Sequence, residues 1–244
     1  MKILTDLHTH TIASTHAYST LYENTLAAKE KGLELIAMTD HAPAMSDAPH
    51  EWHFMAYHNI PRMINGVKVL KGAELNILNR AGEVDLSEWL LINKIDLAIA
   101  SIHSVTYNEE PGGDHTETWL NVIKNPYIDI LGHSGSPDYA YDIDVVVQAA
   151  KDANKCIEIN SHTYIARKSS WERCREIALA CKRLDAPIVV NSDSHFMSQI
   201  GDLGAAINML EEIDFPEDLI MNLNSERFIK YIENKKNKKF DFGE

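Results

Sequence analysis

Short apolar runs recur along this chain at regular intervals, and a helical stretch follows nearly every one. The runs lie at residues 3–4, 35–38, 67–70, 95–100, 128–131, 156–160 and 188–190, and each reads as a strand. The intervening helices carry their own signals. Thr20 with Glu23 three residues later forms a capping box ahead of a helix that ends at Gly32. Asp114 with Glu117 opens another, covering Trp119, Val122 and Ile123, and residues 143–154 and 171–184 form two longer ones. No linker, low-complexity segment or internal repeat interrupts the pattern, so residues 1–244 read as a single α/β domain. Strand and helix alternating about seven times argue for a parallel sheet with helices outside it, open or closed as a barrel. In either form, functional sites gather at the carboxyl ends of the strands.

Those ends are where the chain keeps its metal-ligand residue types. His8 and His10 stand at i and i+2 after the first run, so on a strand both imidazoles face the same way. His16 lies in the loop that follows. His41 ends the second strand, His103 the fourth, His133 the fifth, and Asp193 and His195 follow the seventh. Glu74 ends the third strand and shares parity with Leu70, so a carboxylate occupies an inward apolar line, costly unless paired or metal-bound. One mononuclear zinc site takes about four ligands. Seven histidines and two carboxylates are too many for one ion and enough for two or three.

Other residues leave two readings open. Asp6 and Asp40 either orient a ligating histidine or serve as caps or surface groups. His50, Trp52 and His53 form either a lid over the site or ordinary loop packing. Arg167 and Lys168 either clamp a substrate phosphate or form a solvated basic pair. His115 and His162 are polar surface residues or lie behind a ligand, and His58 is structural. Cys174 and Cys181 sit at i and i+7 on one helix face, the spacing of core residues. The irregular stretch 42–58 leads into a helix near 60–64. The lysine-bearing tail, 235–244, reads as solvated or frayed, not as a nucleic-acid arm.

Composition narrows the function classes. A net charge of −13 disfavours a broad nucleic-acid surface, yet bound divalent cations would invert the local field for a small anion. No apolar run reaches the ~18 residues of a membrane helix. The start of the chain has no basic region followed by an apolar one, and the three cysteines show no paired spacing. The expected setting is cytoplasmic.

In this order, the motifs Asp6-Leu7-His8-Thr9-His10-Thr11, Thr39-Asp40-His41, Gly72-Ala73-Glu74, the lone His103 and His133, and Ser192-Asp193-Ser194-His195 resemble the PHP (polymerase and histidinol phosphatase) superfamily over nearly the whole chain. The runs around His16 and from Asp47 to Phe54 are similar to its YcdX-type phosphatases. His133 is followed by Ser134, where many members have proline. The resemblance implies a distorted seven-stranded (β/α)7 barrel with a trinuclear metal centre at the C-terminal ends of its strands. It implies three Zn2+ per chain, with Mn2+ or Fe2+ an option in some positions. It assigns one ion to His8, His10, Glu74 and Asp193. A second goes to Glu74, His103 and His133, with Glu74 bridging, and a third to His16, His41 and His195. Glu74, Asp193 and His195 are the expected catalytic residues; Arg167, His50 and His53 are the expected substrate contacts.

The implied activity is hydrolysis of a small phosphomonoester by a metal-bound hydroxide. Histidinol phosphatase, and a phosphodiesterase or exonuclease, are rivals within the superfamily. A non-catalytic metal-bearing module is a more remote one. No membrane or nucleic-acid partner is expected, and a homo-oligomer is left open.

Overall fold

The computed structural model describes residues 1–243. In chain order the elements are β1 (Thr5–Thr9), α1 (Leu21–Glu30), β2 (Leu35–Met38), α2 (Glu51–Met55), β3 (Met63–Ile64), β4 (Val67–Asn76), α3 (Glu88–Asn93), β5 (Leu97–Ser101), α4 (Thr116–Lys124), β6 (Ile130–Leu131), α5 (Ile143–Asp152), β7 (Cys156–Asn160), α6 (Thr163–Ala166), α7 (Trp171–Leu184), β8 (Ile188–Asn191), α8 (Gly204–Glu212) and α9 (Ser225–Lys236). Seven strands run parallel in the order β1-β2-β4-β5-β6-β7-β8, and β3 pairs antiparallel with β4 at the side. The result is a nearly closed barrel with helices around it.

Closure between β8 and β1 differs from the other joins. It rests on a single bridge, Thr9 with Ser194, and on backbone bonds between His10 N and Ser194 O (2.8 Å) and Ser194 N and His8 O (3.3 Å). Side chains do the rest. Asn191 Oδ1 accepts from Leu7 N at 2.9 Å, and the Asn222 amide bonds both backbone groups of Val190, taking the place of a strand.

The barrel interior has two layers. Leu7, Leu35, Leu70, Leu97, Ile130, Cys156 and Val189 place an apolar side chain from each barrel strand in one cluster, which Phe228, Tyr231 and Ile232 of α9 and the buried Phe240 close from below. The alternate side chains pack outward against the helices in a second, larger core. Two residues further up several strands, the inward positions turn polar.

Three local expectations are corrected. There is no helix near 60–64. Instead α2 lies earlier, and Met63–Ile64 forms a hairpin with β4 through Asn65 and Gly66 at φ of 56° and 83°. An Asn-Gly pair with both residues left-handed is the tight-hairpin turn. The tail is solvated only in part: Asn237, Lys238, Lys239, Asp241 and Gly243 are exposed, but the segment is anchored. Lys235 and Lys236 reach the buried Asp129 at 3.2 and 2.9 Å, Lys238 reaches Asp96, and Phe240 is buried; Glu244 lies outside the described residues. The cap expected at Asp114 falls one residue later, at His115, with the helix starting at Thr116, whose N–H still donates to the Asp114 carboxylate. The capping box at Thr20 and the left-handed Gly32 stand as read. Among the described residues, no helix is long and apolar enough to cross a membrane.

Candidate metal centre

All nine strand-end residues meet at the carboxyl mouth of the barrel. Glu74, the eighth residue of β4, is fully buried and lies at their middle. Its Oε2 is 3.2 Å from His8 Nε2, 3.5 Å from His10 Nε2 and 2.9 Å from His41 Nδ1. Its Oε1 is 3.2 Å from His103 Nε2 and 2.9 Å from His133 Nε2. Asp193 Oδ1 faces His10 Nε2 at 3.2 Å and His8 Nε2 at 3.5 Å, while Arg167 Nη1 reaches its Oδ2 at 3.1 Å. His16 Nε2 is 3.2 Å from His41 Nε2, and the His195 ring lies 4.4 Å from that of His10 and 4.9 Å from that of His16.

The donor atoms converge in three overlapping groups: His8, His10 and Asp193; His41, Glu74 and His103; and His10, His41 and His195. His10 and His41 each belong to two. His133 joins through Glu74 and His16 through His41.

Two observations of the site's own chemistry fit a set of cations. Among the described residues, His8 Nε2, both nitrogens of His10, His41 Nδ1, His103 Nε2 and Glu74 Oε2 are buried without a hydrogen bond of acceptable geometry. Each such atom costs roughly 1–3 kcal/mol if left so. Second, four of the histidines are held through Nδ1, three by side chains outside the cluster and one by a backbone carbonyl. His8 is held by Glu158 (2.8 Å), His16 by Asp47 (2.5 Å), His103 by Asn76 (2.7 Å) and His195 by the carbonyl of Asp193 (2.9 Å). A ring that donates its Nδ1–H to an acceptor behind it leaves the Nε2 lone pair free to ligate.

Burial opposes ionisation of Glu74, yet His8, His103 and His41 hold its carboxyl well below the usual range. Asp193 is likewise held well below by His8, His10 and Arg167 against burial. Burial, with the charge of His41, pushes His10 down to about 3, and burial pushes His103 down to about 4. His8 and His41 go the other way: against burial, Glu158 and Glu74 hold His8 well above the ordinary range, and Glu74 holds His41 above it. A divalent ion at these rings would take the place of those protons, since ionised carboxylates and neutral imidazoles are the ligand states.

Backbone geometry is special at two ligands. Asp193 has φ 54° and His133 has φ 20°, a region non-glycine residues enter only when their surroundings fix them. Just before His133, a Cβ on Gly132 would sit 2.2 Å from Ser101 Oγ, so only glycine lets β6 pass this close to β5.

The remaining candidates fall in several places. Asp6 is fully buried and meets the backbone of His8, but it does not hold the His8 ring. It accepts from Ser192 N, Ser192 Oγ and Gly201 N, and so anchors the loop that carries Asp193 and His195. Sequence parity failed because the β1 register shifts between Asp6 and Thr9. The carboxylate behind His8 is Glu158. A glutamate in the middle of the apolar run Cys156–Asn160 was the signal for it. Asp40 is buried and binds Thr11, Ser14 and His53 (3.2 Å), fixing the loop before His16. His50 is exposed and caps α2 through Trp52 N, and Trp52 is exposed as well. His115 is not on the surface: it is buried against Tyr107, 3.0 Å from its hydroxyl. His162 stacks toward His195 at 6.4 Å. A cavity of about 410 Å³ opens beside His103, His133 and Arg167, with the hydroxyls of Ser104, Ser136 and Ser169 on its walls. The three cysteines are free and buried.

Comparison with known proteins places this geometry. The model of the PHP domain matches residues 6–165. A probable phosphatase of Acetivibrio thermocellus is 44% identical over 236 residues, covering 97% of this chain and 98% of that protein. Probable phosphatases of Thermoanaerobacter sp. (43% identical, 98% of each chain) and Photobacterium profundum (42%, 96% of this chain and 95% of that one) are similar over nearly their full lengths. Among solved structures, the fold is similar to histidinol phosphate phosphatase of Lactococcus lactis in complex with zinc, L-histidinol and phosphate. The TM-score is 0.63 at 17% identity, over 87% of this chain and 94% of that one. It is also similar to a chain of archaeal ribonuclease P solved with mature tRNA (TM-score 0.59, 16% identity, 96% and 91% covered). At these identities the structural likeness is one of fold. With a domain match over most of its length and full-length relatives above 40% identity, the chain belongs to the PHP domain family.

Proposed function

We propose that the protein is a metal-dependent phosphatase that hydrolyses a phosphomonoester of a small molecule at a centre of three divalent ions, zinc foremost. The observation that carries this is the convergence of buried, unpartnered donor atoms from the ends of β1, β2, β4 and β5 around Glu74. Full-length relatives named probable phosphatases support the reaction class. His8, His10, Glu74 and Asp193 would hold one ion, Glu74, His103 and His133 a second, and His16, His41 and His195 a third. When bound, such ions lower the pKa of water and neutralise phosphate oxygens, which is what hydrolysis of a dianionic ester needs.

The chain's own groups supply the rest. Glu74 presents one oxygen to His8, His10 and His41 and the other to His103 and His133, so it is the anion shared across the centre. Arg167, 3.1 Å from Asp193 and lining the cavity, is placed to receive a phosphate oxygen in a planar, two-point contact. His195 is pinned through Nδ1, which leaves Nε2 facing the mouth to ligate or to pass a proton. The cavity beside His103 and His133, lined by serine hydroxyls, accepts a small polar leaving group. His53 contacts the site through Asp40, and His50 keeps to the outer rim. The three buried, unpaired thiols support a reducing, cytoplasmic setting.

The test is one preparation with metal content measured, assayed against phosphomonoesters, histidinol phosphate among them, and phosphodiesters. Between two and three ions per chain, monoester turnover above diester turnover, and loss of activity with chelator are expected. One ion or fewer after reconstitution, or single-stranded DNA cleaved faster than every monoester, would overturn the reading.

A further inference from the structure

We infer that Glu158 is a positioning residue that sets two ligand-bearing segments at once: the ring of His8 and the backbone turn that presents His133. The inference rests on the metal-centre reading above. Glu158 is the third residue of β7, only 3% exposed, and belongs to none of the three convergent donor groups. Its Oε1 accepts from His8 Nδ1 and from Asn191 Nδ2, both at 2.8 Å. Its Oε2 accepts from the backbone N–H of His133 at 2.8 Å and from Asn160 Nδ2 at 3.2 Å.

Four donors therefore meet two oxygens. Only a carboxylate accepts at both ends; an amide of the same shape would turn an NH2 group toward two N–H donors. The need is thus for the chemistry of the carboxylate and not only for its volume. The two bonds that matter serve different ligands. The one to His8 puts the proton on Nδ1 and aims Nε2 at Glu74 and Asp193. The one to His133 holds a residue at φ 20°, immediately after the glycine that Ser101 Oγ crowds. β7 lies between β6, which leads into His133, and β8, beyond which β1 carries His8, so this position alone on β7 spans both. By contrast, the group formed by His16, His41 and His195 makes no contact with Glu158 among the described residues.

The experiment compares wild type, Glu158→Gln and Glu158→Asp. Zinc is counted per chain, its affinity is measured by chelator competition, and the melting of the metal-free proteins is recorded. Cobalt-loaded samples supply visible spectra. In Glu158→Gln, zinc held by the His8 and His133 positions weakens 10- to 100-fold, the range for removing a group behind a metal-bound histidine. The ion at His16, His41 and His195 stays, so the count falls toward one. The cobalt spectrum loses intensity in proportion. Glu158→Asp keeps two acceptor oxygens and recovers part of the lost affinity. Wild-type affinity at every position in Glu158→Gln overturns the inference. So does equal loss at all positions, or a metal-free variant that no longer melts cooperatively, either of which makes Glu158 a residue of the fold. A wild type that binds no ion sinks the metal-centre reading instead.

Discussion

Along β4 the inward side chains run Leu70, Gly72, Glu74; along β7 they run Cys156, Glu158, Asn160; along β8 they run Val189, Asn191 and then Asp193. The lower half of each line is apolar and packs on α9; the upper half is polar and faces the mouth. Charge is handled differently in the two halves. At the bottom, buried carboxylates meet cations the chain supplies: Asp96 meets Arg62 at 2.6 Å, and Asp129 meets Lys235 and Lys236. At the top, Glu74 meets only imidazoles, several of them with unpartnered nitrogens. The difference teaches that the lower half finds its countercharges within the chain. The upper half is built to be completed by cations from outside, and the apolar half offsets its cost.

The strongest way to break that comparison is Glu74→Ala. It removes the anion shared across the centre, and turnover should fall by roughly 10³-fold or more, with at least one ion lost. His16→Ala should cost less activity and leave the Glu74 ions loaded. Equal metal losses in the two variants would show that Glu74 is not shared. Leu70→Ala, four residues below on the same line, should do the opposite. It should lower unfolding free energy by about 2–5 kcal/mol and leave metal count unchanged, as read by denaturant melts and elemental analysis.

A subtler test uses Lys155, buried at the bottom and bonded to the carbonyls of Asn125 and Ile128. Burial, with the charge of Lys235, pushes its pKa down to about 7. The unfolded chain then holds this proton up to about pH 10.4 while the folded chain releases it above about 7. Stability from this residue therefore rises with pH across that window, and falls again as pH drops toward 7. Subtracting urea midpoints of Lys155→Met from wild type at pH 6 to 10 should isolate the slope; parallel curves would remove it. The smallest effect belongs to His50→Ala. Loss of the α2 cap should cost about 1 kcal/mol at most and change turnover by less than about twofold, since the ring sits on the outer rim.

The comparison also explains what could be read from sequence. Apolar runs of period two ending in His, Asp or Glu point to both halves at once, because one strand line carries both. That pattern located β2 and β4 and brought the nine strand-end residues to one mouth. Legibility failed where geometry departs from the repeat. The register shift in β1 sent Asp6 to Ser192 and Gly201 and left His8 to a carboxylate from another strand. Glu158 hid inside an apolar run, since its partners come from three other segments. The tail lysines looked like solvent-facing charge because Asp96 and Asp129, their partners, are more than a hundred residues away. The hairpin at Asn65 and Gly66 stands where a helix near 60–64 was expected, although an Asn-Gly pair is itself a hairpin signal.

The seam between β8 and β1 has a consequence for the order of assembly. Asn191 and Leu7, which meet there, are 184 positions apart. A contact that spans most of the chain closes late, because the entropy of the loop it shuts must be lost before the contact repays it. On the ribosome, β1 emerges first and pairs with β2, yet its other edge stays open until β8 and Asn222 have followed. His8 and His10 are thus made long before Asp193, the partner they meet last. A metal ion captured before that moment would meet half a site, so loading would follow closure of the seam.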